Sequence, residues 1–132
     1  MLDKKKTVLF VYIENSNRSQ MAEAFAKMLG GDSVESFSAG SKPSGVVNPK
    51  AIEYMKEVGY DLSTHPSKSL DEIPKIEYDA VITMGCGDAC PYVVGRIRED
   101  WGLPDPKLMA PQDFRRVRDL IGEKVRDLLA RF

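Results

Sequence analysis

Residues 7–19 read Thr-Val-Leu-Phe-Val-Tyr-Ile-Glu-Asn-Ser-Asn-Arg-Ser. Thr7 to Ile13 is an unbroken β-branched and aromatic run, the pattern of a strand buried on both faces inside a parallel sheet. From Arg18 the period changes: Met21, Phe25, Met28 and Leu29 fall on one helical face, and Gly30-Gly31 closes the element. The strand therefore feeds the helix through Glu14, Asn15, Ser16 and Asn17. Such a turn aims backbone N–H groups and the positive end of the helix dipole at one point, which favours an anion. Arg18 adds a guanidinium fork suited to phosphate or arsenate. The plainer alternative is a structural turn with a solvated Arg18, since every α/β unit has a turn there.

Outward from this unit, Val34 to Ala39 reads as a second short strand closed by Gly40, and Lys42 to Val47 as a loop. Asn48 supplies an N-cap and Pro49 a first-turn proline for a helix with Ile52, Met55 and Val58 on its apolar face and Gly59 as its stop. Leu62 to Ser69 is polar, with at most one short strand. Tyr78 to Met84 is the second strongly apolar strand, broken at Gly85. Pro91 is expected to open a helix that carries Val94, Ile97 and Trp101 inward, and the three prolines of Leu103 to Pro111 demand a loop. A last helix shows Phe114, Val117, Ile121, Val125, Leu128 and Phe132 at steps of three and four, with Arg115, Arg116, Arg118, Asp119, Glu123, Lys124, Arg126 and Asp127 as its solvated face. Strands alternating with helices predict an open, mostly parallel, three-layer α/β sheet. Ligands bind such sheets at the carboxyl ends of the strands, here Tyr12 to Ser19 and Gly85 to Pro91.

The chain has 132 residues, which predicts one domain over 1–132 with a core that needs no disulfide or metal staples. Its 19 Lys and Arg balance 20 Asp and Glu, leaving no cation excess to neutralise a nucleic-acid backbone. No apolar run approaches a membrane span and Met1 to Lys6 lacks the apolar body of a signal peptide, so a cytoplasmic protein is expected. The two cysteines, Cys86 and Cys90, are too few for a secreted framework and read as free or redox-active thiols. A zinc site is not expected: Cys86, Cys90 and the lone His65 provide three candidate ligands without a second spaced pair. No cofactor is expected.

Residues 8–25, VLFVYIENSNRSQMAEAF, resemble the start of the low-molecular-weight protein tyrosine phosphatases, and more closely the thioredoxin-coupled arsenate reductases. The resemblance continues in order through Ser38-Ala39-Gly40, Gly59 to Glu72 (GYDLSTHPSKSLDE), Thr83 to Cys86 (TMGC) and Arg98 to Pro106 (REDWGLPDP). It implies four parallel strands in the order 2-1-3-4 with helices on both faces, and an oxyanion (phosphate, sulfate or arsenate) held by Asn15, Ser16, Asn17, Arg18 and Ser19, with Asn15 shaping the loop. It further implies Asp105 as the general acid, Cys86 and Cys90 as the pair that closes a disulfide, and thioredoxin as the reductant. His65 has no catalytic role in the family and is taken as structural.

Six positions before Arg18 the family carries its nucleophilic cysteine, and this chain has Tyr12. A phenol has a reference pKa near ~10 and is not a comparable nucleophile at neutral pH. Glu14 replaces the family's glycine, setting a carboxylate beside the oxyanion position unless it points outward, and Asn17 replaces a frequent cysteine. From these residues the expectation is a degenerate member, a pseudoenzyme that at most binds an oxyanion. One alternative is an active thiol oxidoreductase, an arsenate reductase using Cys86 and Cys90, with Cys90 at a helix start where a thiolate is favoured. The other is a protein-interaction module on the same scaffold.

Overall fold

The computed structural model describes residues 5–85 and 92–132. Its elements are β1 (Lys6–Tyr12), α1 (Arg18–Gly30), β2 (Val34–Gly40), α2 (Pro49–Lys56), β3 (Tyr78–Thr83), β4 (Gly95–Asp100) and α3 (Pro111–Leu129). The four strands form one parallel sheet in the order β2-β1-β3-β4. β1 is central, which is why Val8, Leu9, Phe10 and Val11 are all fully buried: its even and odd residues face different cores. Val8 and Phe10 pack with Met21 and Phe25 of α1, Met55 of α2 and Phe114, Ile121 and Val125 of α3. Leu9 and Val11 pack on the opposite face with Ala39, Ile73, Tyr78 and Val81, covered by Leu70 of the 3-10 turn Leu70–Glu72.

Three local devices position the carboxyl end of the sheet. Tyr12 pairs with Gly40, where a Cβ would lie 2.3 Å from the Ile13 carbonyl, so only glycine lets β2 end against the loop after β1. Asn48 caps α2, its Oδ1 accepting from Lys50 N at 2.8 Å, while its own N–H donates to Ser16 O at 2.7 Å and ties α2 to the same loop. The 101–103 segment follows β4, and its Leu103 O accepts from Arg18 Nη1 at the first residue of α1.

Three expectations fail. Residues 92–101 contain no helix: Gly95–Asp100 is the edge strand β4, Val94 is exposed, Ile97 half-buried and Trp101 buried. The helix start assigned to Cys90 is thus not formed by the described residues after it, and Cys86, Cys90 and Pro91 themselves lie outside the described residues. On α3, Arg118 is not solvated. It is buried, donating to Tyr54 O at 2.9 Å, Glu57 at 2.7 Å and Asp119 at 2.9 Å, and it joins α3 to α2. The apolar stripe ends at Leu128, with Phe132 exposed beyond the helix.

Candidate active site at the β1–α1 loop

Asn15 organises the loop between β1 and α1. It is fully buried and has φ +50°, a left-handed conformation that asparagine tolerates better than most residues. Its Oδ1 accepts from Gln20 Nε2 at 2.9 Å and Lys68 N at 2.8 Å, and its Nδ2 donates to Ser19 Oγ at 3.0 Å. Because Ser19 accepts there, its own hydroxyl proton stays available to a ligand. Gln20 extends the network: its Oε1 lies 3.0 Å from His65 Nδ1, and His65 Nε2 lies 2.6 Å from the Tyr60 hydroxyl. An amide oxygen only accepts, so Nδ1 carries the proton and Nε2 accepts from Tyr60 in the neutral ring. Burial lowers the His65 pKa from its ordinary value, against the opposing pull of the Glu23 carboxylate. Glu23 in turn accepts from Ser38 Oγ at 2.5 Å and lies 3.6 Å from Lys68 Nζ. No sequence motif points to Gln20, His65 or Lys68, yet Gln20 and Lys68 hold Asn15 directly and His65 holds Gln20.

Arg18, Asn17 and Ser19 are buried at the start of α1 and Ser16 is half-buried. Arg18 Nη1 donates to Leu103 O, and its guanidinium carbon stands 4.4 Å from the centre of the Tyr12 ring. Tyr12 is thus half-buried and packed under the arginine rather than free in solvent. Asn17 makes no side-chain capping bond to α1, and both of its side-chain polar atoms are buried without a hydrogen-bond partner among the described residues. The first amides of α1 are therefore not consumed by a side-chain cap, as an anion site requires. Glu14 is exposed, its backbone oxygen bound by Ser44 N and Ser67 Oγ, so solvent screens its charge. Asp105 is also exposed and accepts from Lys107 N at 3.0 Å, on a loop tethered to the site by Arg18 at Leu103 and by Lys50 Nζ at Lys107 O, 3.3 Å.

The structure is thus an α/β fold whose parallel sheet gathers a buried asparagine, arginine and serine at the mouth of its central strand. The chain belongs to the low molecular weight phosphotyrosine protein phosphatase family, whose sequence profile matches residues 7–132. It is 43% identical over 126 residues to arsenate reductase 2 of Staphylococcus saprophyticus, covering 92% of this chain and 95% of that one. It is likewise 43% identical over 129 residues to the glutaredoxin arsenate reductase of Synechocystis, covering 96% and 98%. An arsenate reductase solved in the phosphate binding state superposes with a TM-score of 0.87 at 43% identity, covering 96% of this chain and 98% of that one. A thioredoxin-dependent arsenate reductase of Corynebacterium glutamicum gives 0.76 at 32% identity, covering 98% of this chain and 63% of that one.

These findings overturn the expectation of a degenerate pseudoenzyme without the family's chemistry. Relatives at this identity are arsenate reductases over nearly their whole length. Among the described residues, no helix is long and apolar enough to cross a membrane.

Proposed function

We propose that this protein is an arsenate reductase whose electrons come from Cys86 and Cys90, with the oxyanion held by residues 15–19 and Tyr12 standing where the family carries its nucleophilic cysteine. The whole-length identity to arsenate reductases carries this reading. The site supports it: Arg18 is held beside the start of α1, and the Ser19 hydroxyl is free to donate. Since Cys86 and Cys90 are the chain's two cysteines, a thiol mechanism runs through them.

In the reaction the Cys86 thiolate attacks arsenic, an As–S bond forms and one oxygen leaves as water. Asp105 is assigned the proton for that oxygen. Cys90 then attacks the Cys86 sulfur, the As–S bond breaks and its electron pair stays on arsenic. Dihydrogen arsenate and two thiols thus give dihydrogen arsenite, one disulfide and water, with arsenic(V) reduced to arsenic(III). Thioredoxin then returns two electrons to the disulfide.

The test is arsenate-dependent NADPH oxidation with thioredoxin and thioredoxin reductase. Turnover is expected, and Cys86→Ser or Cys90→Ser should each abolish it. Turnover only with glutaredoxin and glutathione would overturn the choice of reductant, and none with either system would overturn the function.

A further inference from the structure

Asp100 closes β4 at the ligand end of the sheet and is exposed, yet its Oδ1 accepts two hydrogen bonds of 2.7 Å, from Thr83 Oγ1 and from Gly85 N. Trp101 N closes the same junction by donating to Thr83 O at 2.8 Å. Gly85 has φ +88°, and a Cβ there would stand 3.4 Å from Gly102 Cα, so the exit from β3 is a glycine turn fitted against the start of the next segment. Two residues beyond Trp101 in that segment comes Leu103, whose carbonyl receives Arg18. The run 100–103 therefore grips two things at once: the N–H of Gly85, the residue that precedes Cys86 in the sequence, and the arginine of the anion loop.

We propose that Asp100 is a positioning residue, which through Thr83 and Gly85 sets where the chain enters Cys86 relative to Arg18. The inference rests on the reading of Cys86 as the reacting thiol. Attack on a bound oxyanion is sensitive to displacements on the scale of an ångström, so a loosened exit from β3 slows the reaction without weakening the anion site. What Asp100 contributes is an acceptor for two donors. An asparagine oxygen supplies the same acceptor without the charge, whereas alanine leaves Thr83 and Gly85 to solvent.

The experiment compares the full chain with Asp100→Ala, Asp100→Asn and Thr83→Val by peptide-resolved iodoacetamide alkylation, arsenate kinetics and phosphate titration. Asp100→Ala is expected to raise the Cys86 alkylation rate at least about threefold and to lower kcat about tenfold, with KM and phosphate affinity unchanged. Asp100→Asn should restore both, and Thr83→Val should move both in the same direction by less. Unchanged Cys86 alkylation in Asp100→Ala, or Asp100→Asn behaving like Asp100→Ala, would overturn the proposal. If Asp100→Ala fails to fold, Thr83→Val decides in its place. Absent arsenate turnover in the unsubstituted protein would defeat the proposed function alone, because the alkylation comparison still judges Asp100.

Discussion

Replacing Arg18 with alanine tests the anion loop at its most specific point. Arg18 is 5% exposed, and its guanidinium donates to Leu103 O and stacks on Tyr12. One of its five N–H donors is thus committed to the protein, and the proposed oxyanion would take others of the fork. A hydrogen bond to a charged group contributes about 1.5–3 kcal/mol, so losing one such contact predicts a phosphate Kd weaker by about 10- to 150-fold. Arg18→Lys should recover only part of this, since an ammonium keeps the charge but not the planar fork. The assay is phosphate titration followed by backbone amide shifts at constant ionic strength, with thermal unfolding to confirm a native fold. A Kd within about threefold of the unsubstituted protein would refute the reasoning, since it is smaller than one charged hydrogen bond. So would shifts centred away from residues 13–19.

Asn15→Ala removes the acceptor for Gln20 Nε2 and Lys68 N and the donor to Ser19, and is expected to cost about 1–3 kcal/mol of stability in urea titration together with most phosphate binding. Gly40→Ala drives a Cβ to 2.3 Å from the Ile13 carbonyl, and is expected to destabilise by about 1–3 kcal/mol or more, read as a lowered Tm and displaced Ile13 and Glu14 amide signals. Glu57 is held at about 2, below its ordinary 4.5, first by hydrogen bonds from Arg115 and Arg118. Its contribution is therefore present above the ordinary value and lost as the pH falls through about 2. Glu57→Gln should flatten the stability profile across that acid window, and an unchanged acid-unfolding curve would contradict the pairing.

β1, its loop and α1 are legible in the sequence because a strand buried on both faces has no polar residue until it ends, and the helix starts where the period changes. β4 is not legible. It is an edge strand carrying Arg96, Arg98 and Asp100 on exposed positions, and the spacing of Val94, Ile97 and Trp101 imitates a helical face. Arg118 misleads for a related reason: a charge on an amphipathic helix reads as solvated until the tertiary structure brings Tyr54 O and Glu57 to it. At the site, Arg18 and Asn15 follow from local position, whereas the contacts of Gln20 with Pro66 and His65 span 46 and 45 residues and leave no local pattern. Tyr12 taken alone points to lost chemistry, whereas whole-length similarity to arsenate reductases points the other way.

The proposed reduction of arsenate runs through Cys86 and Cys90. Single-turnover reaction of the fully reduced protein with arsenate, quenched and mapped by peptide mass, tests it without any reductant present. One arsenite is expected for each Cys86–Cys90 disulfide formed, and neither product from Cys86→Ser or Cys90→Ser. Arsenite formed with both thiols still reduced, or undiminished in either variant, would contradict it.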